Sequence, residues 1–507
     1  MTPRLPRILR GAALLAALAT LLPAAGAAAS STQESLFEDE FQLLQRGPAA
    51  QNFALNDITR LGADGIRSLV VWNTLAPRPQ AKRAPRNFDA RNPAAYPATA
   101  WDRYDDLVRG AQARGLSVLL SPSTPIPAWA SGCKGSATAR RACKPSPSRF
   151  GAFVRALGTR YSGSYADENQ GGGVLPRVTR WSILNEPNQF GWLAPQYVSV
   201  RGRRVAYAAV HYRRLATAAI AALRATGHGS DQILLGETAP IGRATGTLAR
   251  RPIPPVEFIR TLFCIDSAGR RLRGRAARLA GCRGGGRLRV TGYAHHPYTR
   301  GGSQPPRART LPGEITVSTA GRLKRLLTQG ARAGRVPRSL PIWYTEFGYQ
   351  TNPPDRIFGV TLAEQARYIN EADWIAFRDG RVKSVAQYKL HDEPDVTSFQ
   401  TGVRFTNGNV KPAYDAYRLP IWVTRRGGGV RVYGQVRPAA DGATEAVEIQ
   451  HSSGGGFETV QTVTVSSKRG HFLQTVTGRT GGTWRLRWVP AGGGTPVHSR
   501  IAQAARR

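Results

Sequence analysis

The sequence is poor in acidic side chains. Its 507 residues include 32 Asp and Glu against 71 Lys and Arg, which gives a formal net charge of +39. Only eight of the basic residues are lysine, and the arginines are scattered along the chain. No recognised nucleic-acid-binding module accompanies them, which disfavours specific nucleic-acid binding. We interpret the charge as coding bias on solvent-facing positions. The alternative is an acidic polymer, such as a uronate-bearing glycan or an anionic cell wall, as substrate or anchor.

Long hydrophobic runs are also scarce, and the one at the start of the chain is short. Residues 1–29 combine a basic beginning, a small and apolar stretch over residues 11–22, and further small residues. This pattern is typical of a secretory signal peptide, and its apolar stretch is too short to span a bilayer. We therefore predict a mature protein without a membrane span that is secreted or associated with the cell wall.

Cysteine is rare and falls into two local pairs. The four cysteines are Cys133, Cys143, Cys264 and Cys282, each in a loop-like stretch rich in Gly, Arg or Ser. In an oxidising compartment, closeness in sequence favours Cys133–Cys143 and Cys264–Cys282 among the three possible pairings. No Cys-x2-Cys spacing or flanking histidine is present, so we expect disulfides and no metal site at these positions.

The middle of the chain alternates strand patterns with helix patterns. This order predicts a (β/α)8 TIM barrel over residues 32–418, with its least distinct first strand near residues 41–44. Beyond it, period-two segments separated by Gly-rich turns predict a small antiparallel β-sandwich over residues 419–492. We expect residues 493–507 to form a flexible tail.

Two apolar, strand-like peptides each end on a glutamate. Residues 181–187 read Trp-Ser-Ile-Leu-Asn-Glu-Pro, and residues 341–348 read Pro-Ile-Trp-Tyr-Thr-Glu-Phe-Gly. The carboxyl ends of barrel strands carry the active site in this fold, so both side chains should face one pocket. Paired carboxylates are the apparatus of glycosidic bond hydrolysis, with Glu186 as acid/base and Glu346 as nucleophile in a retaining arrangement.

Two other interpretations of these glutamates stay open. Asn-Glu-Pro is also typical of a helix entry, with Asn185 as the N-cap and proline in the first turn. Glu237 ends a further predicted strand and competes for a catalytic role, although its neighbours resemble a polar rim. If the assignment is right, the two catalytic glutamates should have divergent pKa values, with the nucleophile ionised and the acid protonated.

The two motifs together resemble glycoside hydrolase clan A, the retaining barrel glycosidases, in particular families 5, 39 and 42. The resemblance extends over residues 32–418. It implies that Asn185 hydrogen-bonds a sugar hydroxyl, that Arg67 lies near the nucleophile, and that His296 and Tyr298 support it. Residues 127–129 resemble the Pro-x-Trp element of families 39 and 42.

Aromatic residues are the expected sugar contacts. We predict this role for Trp129 and Trp192, which lie in loops after strands. The clan usually has a tryptophan at the end of strand eight, and this chain has none there. Tyr388 is the candidate substitute; alternatively, Lys389 and Asp392 recognise a polar or charged sugar.

The sequence thus predicts a secreted retaining O-glycosyl hydrolase that acts on an oligo- or polysaccharide, as a monomer and without metal or organic cofactor. One alternative is a non-catalytic glycan-binding barrel at the cell surface. Another is a metal-dependent barrel hydrolase, for which the adjacent His295 and His296 are the only support. A serine hydrolase is disfavoured because no Gly-x-Ser-x-Gly motif is present.

Overall fold

A closed barrel of eight parallel strands forms the larger part of the computed structural model, which describes residues 30–169, 173–283, 286–439, 444–467, 469–491 and 493–506. The predicted signal peptide, residues 1–29, lies outside the described residues. The strands pair in chain order, and the first closes on the last through Leu36 opposite Ala386. They are β1 Glu34–Glu38, β2 Gly65–Val71, β3 Ser117–Ser123, β4 Arg180–Ser182, β5 Gln232–Thr238, β6 Gly292–His295, β7 Ile342–Phe347 and β8 Val382–Tyr388.

A helix follows each strand and packs outside the barrel, which confirms the predicted (β/α)8 architecture. Proline begins several of these helices at N1 or N2, where its missing N–H costs no hydrogen bond. Shorter helical turns occupy the loops. The eight helices are α1 Pro48–Arg60, α2 Ala98–Gln112, α3 Pro147–Arg160, α4 Tyr207–Ala225, α5 Pro255–Leu262, α6 Ala320–Arg332, α7 Leu362–Phe377 and α8 Pro412–Arg418.

The first strand was predicted at the wrong place. Residues 41–44 lie in a π-helical turn, Phe41–Gln45, and β1 precedes them at Glu34–Glu38. The strand escaped notice because it is five residues long and glutamates occupy both of its ends. Both glutamates point into the barrel, where arginines pair with them, so charge at these positions is compatible with burial.

The barrel interior is layered. An apolar layer fills its middle with Leu36, Leu119, Leu234, Ala294, Trp343 and Ala386. Below it, towards the N-terminal ends of the strands, Arg180 pairs with Glu34 and stacks over Trp343 at 5.6 Å. Above it, Glu38 and Arg67 follow Leu36 and Gly65 on the inward faces of β1 and β2. The polar upper layer thus lies at the C-terminal ends of the strands.

Two antiparallel sheets follow the barrel and share one core. The first contains β9 Ile421–Arg426, β10 Gly429–Gln435 and β13 His471–Thr477; the second contains β11 Glu445–Ser452, β12 Glu458–Val465 and β14 Thr483–Trp488. Val432 and Phe472 of the first sheet pack with Ile449 and Leu486 of the second, as in a sandwich.

The end of the chain differs from the expected flexible tail. Val497–His498 and Ala502–Gln503 form short strands that both pair with β14. Buried Val497 and Ala502 join the sandwich core. Single apolar residues separated by polar ones gave no period-two signal long enough to predict these strands.

The sandwich packs against the barrel through charged side chains that are largely withdrawn from water. Arg437 is buried, donates 3.3 Å to Asp373 of α7 and 2.9 Å to the Tyr417 carbonyl, and lies over the Tyr417 ring. Arg469 pairs with Glu34 and Asp64, at the N-terminal ends of β1 and β2. The sandwich therefore contacts the barrel away from the C-terminal ends of the strands.

Two disulfides join Cys133 to Cys143 and Cys264 to Cys282, the pairing expected from the sequence. The first lies in the segment between β3 and α3, and the second lies in the segment between α5 and β6. Among the helices of the described ranges, none has the length and apolar character needed to cross a membrane.

The interface pair offers a test of how the two units are held together. We expect Arg437→Leu to lower the free energy of unfolding by about 3–5 kcal/mol, because Asp373 is left buried without its partner. The double variant with Asp373→Leu removes both charges and should recover most of that loss. Urea unfolding of both variants measures this. Arg270→Leu, at an exposed arginine, should change stability little, and a double variant as unstable as the single one would contradict the account.

Candidate active site

The backbone turns sharply where β4 and β5 deliver their glutamates. Glu186 has φ of 36° and Glu237 has φ of 48°, in the left-handed region that non-glycine residues rarely adopt. The Glu186 N–H donates 3.0 Å to the carbonyl of Glu237, and the Asn185 N–H donates 3.1 Å to the hydroxyl of Ser123. Neighbouring strands thus hold a strained turn, a feature that clusters at functional sites.

Glu186 and Glu346, which are far apart in sequence, meet at the barrel mouth. An oxygen of each carboxylate and a ring nitrogen of His296 all lie within 4.8 Å of one another. His296 Nδ1 is 3.1 Å from Glu186 Oε1 and 3.4 Å from Glu346 Oε2. The glutamate side chains are 19% and 12% exposed, whereas His296 is fully buried. Both carboxylates can therefore be reached from solvent.

Arg67 organises the carboxylates beneath this pair. It donates Nε and Nη2 to the two oxygens of Glu237, both at 2.9 Å, in the bidentate geometry that suits guanidinium and carboxylate. Nη1 pairs with Glu38 and lies 3.4 Å from Glu346 Oε2. Nη2 also donates 2.7 Å to Asn185 Oδ1. One buried guanidinium therefore contacts residues from four other strands or strand ends.

Sequence reasoning missed Glu38. Glu38 is the last residue of β1, just as Glu346 is the last but one of β7. Its side chain is buried against Arg67. The signal was a glutamate after two apolar residues, but without a strand assigned there it could not be recognised. Glu237, which was named as a competitor, is also buried; Ser121 Oγ donates 2.8 Å to it, and Arg67 occupies both of its oxygens. Neither residue is presented to solvent.

Tyr298 and the histidines complete the site on the β6 side. The Tyr298 hydroxyl donates 2.9 Å to Glu346 Oε1, as the resemblance implied. Burial lowers the pKa of His296, with the charge of Glu346 opposing, and its Nδ1 lies between the two carboxyl groups. Burial also lowers the pKa of His295 to about 3. Both His295 nitrogens are occupied, by Thr238 Oγ1 at 2.9 Å and the Ile315 carbonyl at 2.9 Å.

Glu186 and Glu346, the two glutamates that are partly exposed, have different surroundings. Burial raises the pKa of Glu186 to about 7, with Arg67 opposing and Glu237 adding to the rise. Burial also raises the pKa of Glu346, but His296, Arg67 and the Tyr298 hydrogen bond all oppose it. The expected ionisation of Glu346 thus depends on these donors, and the carboxyl of Glu186 is the one poised to hold a proton near neutral pH.

The pKa values of the two buried glutamates, Glu237 and Glu38, shift in opposite directions. Burial alone would raise the pKa of Glu237, but the charge and hydrogen bonds of Arg67 outweigh it and lower the pKa below its usual value. Burial raises the pKa of Glu38 well above its usual value, despite Arg67 and with help from nearby Glu40. Arg67 is therefore neutralised mainly by Glu237, which holds it with both oxygens.

One group in the site has the composition of a metal site. Glu186, His296 and Glu346 offer ligand atoms close enough to hold a cation. His295, the second histidine of the metal-dependent alternative, is excluded as a ligand because both of its nitrogens are bonded to protein atoms. A cation would have to displace the contacts between His296 Nδ1 and the two carboxylates, and no second histidine would assist.

The predicted sugar contacts lie in different surroundings. Trp129 is buried in the core edge-on to Trp72, with its Nε1 donating 3.2 Å to the Pro77 carbonyl. Trp192 is partly exposed in the loop after β4. Tyr388 ends β8 with its ring 5.2 Å from Phe399, and Glu346 is among the charges that raise its pKa after burial, which indicates proximity to the site.

The polar residues after β8 are already paired. Lys389 is buried, 2.5 Å from Glu393 and 3.8 Å from Asp39. Asp392 pairs with Lys411 at 2.7 Å. These groups hold the loop after β8 in place, and their charges are compensated within the protein.

Comparison with known proteins adds similarity of fold. No family profile and no curated protein matches the sequence. Similar solved structures include the family 1 β-glucosidase from Thermotoga maritima, with 13% identity, a TM-score of 0.43, and coverage of 77% of this chain and 96% of that one. An exo-β-1,4-mannosidase from an Opitutaceae bacterium has 16% identity, a TM-score of 0.41, and coverage of 78% and 61%.

A mutant of β-glucuronidase 2 from Bacteroides uniformis has 9% identity and a TM-score of 0.41, with coverage of 95% of this chain and 46% of that one. The fold itself is defined by the strand pairing of this chain.

The hydrogen bond from Tyr298 predicts a measurable shift. Tyr298→Phe keeps the ring and removes a donor that stabilises the ionised form of Glu346, so the pKa of Glu346 should rise. The pKa of Glu186 should stay near 7. Titration of glutamates labelled with 13C at the side-chain carboxyl, followed by NMR, measures both. An unchanged Glu346, or a shift confined to Glu186, would show that the hydrogen bond does not act as described.

Proposed function

We propose that this protein is a retaining glycoside hydrolase that cleaves O-glycosidic bonds by double displacement. The observation that carries the proposal is the approach of Glu186 and Glu346, whose nearest oxygens lie within 4.8 Å at the barrel mouth. Retaining enzymes place their two carboxyl groups about 5–5.5 Å apart, whereas inverting enzymes need about 6.5–9.5 Å to admit a water molecule. The short separation therefore supports retention.

In the first step, the ionised Glu346 attacks the anomeric carbon while Glu186 donates its proton to the leaving oxygen. The bond between anomeric carbon and leaving oxygen breaks as the bond to Glu346 forms. A pKa of about 7 suits Glu186 for this task, because the carboxyl is protonated at neutral pH and below. Donors from His296, Tyr298 and Arg67 stabilise the carboxylate of Glu346 before attack.

In the second step, Glu186, now a carboxylate, removes a proton from water. The hydroxide attacks the anomeric carbon, releases Glu346 and restores both groups to their starting state. In the covalent intermediate Glu346 carries no negative charge, so one negative charge beside Glu186 is removed. This favours ionised Glu186 at the moment it must act as a base.

Asn185 and the aromatic residues position the sugar in this proposal. Asn185 Oδ1 accepts from Arg67, which fixes the orientation of the amide so that its nitrogen is directed to donate elsewhere, as to a sugar hydroxyl. Trp192 and Tyr388 are the proposed stacking partners, one beside each catalytic strand end. Trp129, whose ring is in the core, acts at most by holding the loop after β3.

The sugar that reacts is a neutral one in this proposal. Arg67 is the positive charge closest to the reacting groups, and it is already bound to carboxylates. An acidic sugar would meet further carboxylates at the mouth, and like charges at this distance repel. The nearest of these carboxylates are Glu346 at the mouth and Glu237, bound to Arg67 beneath it.

The leader-like residues 1–29 and the two disulfides support export of this enzyme, so we place its action outside the cell or at the cell wall, as a monomer. Two alternatives are distinguished by simple measurements. A metal-dependent hydrolase would lose activity with a chelator. A glycan-binding protein without catalysis would bind sugars equally well with either glutamate changed to glutamine.

Substrates with different leaving groups separate the two glutamates. Glu346→Gln should reduce kcat by at least about 10³-fold on every β-glycoside that the native protein cleaves, because the nucleophile is lost. Glu186→Gln should lose about 10²–10⁴-fold in kcat/KM on oligosaccharides but much less in kcat/KM on 2,4-dinitrophenyl glycosides, because kcat/KM reports the first step and this leaving group needs no proton.

The matched control is Glu257→Gln on α5, outside the barrel, which should retain activity on both kinds of substrate. Steady-state kinetics of the three variants give the comparison. If Glu186→Gln lost kcat/KM equally on both leaving groups, or if Glu346→Gln remained active, the assignment of roles would be wrong.

A further inference from the structure

A cleft of about 660 Å³ lies between helix α7 and the first sheet of the sandwich, and neither Glu186 nor Glu346 lines it. One wall is a single face of α7, with Arg367, Glu371, Trp374 and Arg378 at helical spacing. The other wall comes mainly from the hairpin of β9 and β10. Together, the residues that line it are Arg307, Arg367, Glu371, Trp374, Arg378, Trp422, Thr424, Arg425, Arg426, Arg431, Ala505 and Arg506.

Positive charge in the cleft is in large excess over negative charge. Seven of the lining residues are arginines, and a single glutamate accompanies them. That glutamate, Glu371, is buried and bound by Arg307 at 2.8 Å. Within the described ranges, no carboxylate forms an ion pair with Arg367, Arg425 or Arg431. The positive charges lie close enough to affect one another. At neighbouring Arg500, burial and the charge of Arg367 lower the pKa to about 10.

The floor of the cleft carries a second, independent feature. The indoles of Trp374 and Trp422 are both buried, and neither Nε1 has a hydrogen-bond acceptor among the residues that the structure describes. A buried donor without a partner is costly. Acidic oxygens are the preferred partners of arginine, so a ligand that carries them would satisfy the guanidinium groups above these rings.

We propose that this cleft binds a linear acidic polysaccharide, through carboxylate or phosphate groups carried along its chain. The wall from Arg367 to Arg378 covers 11 residue steps, roughly 16 Å of helix, which is longer than one small anion. A chain with repeated acidic groups can therefore engage several guanidinium groups at once.

Nucleic acid fits the cleft less well. Proteins that bind single strands offer aromatic faces on which bases stack. Here both rings are buried, and guanidinium groups already cover them: Arg378 lies 5.4 Å from the Trp374 ring and Arg500 lies 5.6 Å from the Trp422 ring. The cleft would anchor the protein to an acidic polymer while the acidic barrel mouth acts on neutral sugar.

Binding of polygalacturonate to the full chain tests the proposal. The triple variant Arg367→Gln, Arg425→Gln, Arg431→Gln should weaken binding by at least tenfold at low salt and flatten the dependence of the logarithm of affinity on the logarithm of salt concentration. The matched control, with equal loss of charge, is Arg273→Gln, Arg275→Gln, Arg278→Gln on an exposed short helix. It should change affinity less than twofold.

Inorganic polyphosphate in place of polygalacturonate separates phosphate from carboxylate recognition; tighter binding of either one through the same arginines supports the cleft. Equal losses in both triple variants would overturn the proposal, as would stronger binding of duplex DNA than of either probe. Cleavage of a small aryl glycoside should be unchanged in all variants, so failure here is distinguishable from failure of the proposed hydrolase.

Discussion

Arg67 is the side chain on which the rest of the site depends. It is wholly buried inside the barrel, and a buried charge is tolerated only when its hydrogen-bonding capacity is met. Carboxylates from β1, β5 and β7 and the amide of Asn185 meet it. Since the strands are fixed by the closed barrel, the guanidinium sets the separation of carboxyl groups as distant in the chain as Glu38 and Glu346.

This arrangement distributes protons unequally among similar residues. Glu237 faces Arg67 with both oxygens and its pKa is lowered, whereas Glu38 shares the same cation through one contact and burial raises its pKa. Glu346 receives donors from three side chains, and Glu186 lies where burial dominates. Four glutamates thus acquire four different environments from burial, one cation and a few hydrogen bonds. The arrangement also makes the mouth acidic in a protein whose exterior is strongly basic.

The sequence predicted the barrel from its alternating strand and helix patterns. It also predicted the meeting of residues 186 and 346, because the strand-like peptides that lead to them are apolar runs that end on a glutamate. It also predicted the partners of Glu346, through the resemblance to known barrel glycosidases. It did not predict Glu38, whose strand is short and charged at both ends. Burial of a charged residue depends on a partner from another strand, and no local pattern reveals that partner.

The buried position of Trp129 and the strands within residues 493–507 were missed for the same reason. The packing of one ring against Trp72, and the pairing of Val497 with β14, are set by tertiary contacts. Local sequence patterns predict the arginine cleft even less. Its residues come from a barrel helix, a barrel loop and two parts of the sandwich, and in the sequence they look like any other scattered arginines.

The covalent intermediate is the most direct test of the central claim. A 2-deoxy-2-fluoro glycoside with a good leaving group forms a glycosyl-enzyme that breaks down slowly, and peptide mass spectrometry then locates the attached sugar. The account predicts one sugar per chain, bound to Glu346. A label on Glu186, Glu237 or any other residue, or turnover of an accepted substrate with inversion and no covalent adduct, would contradict it.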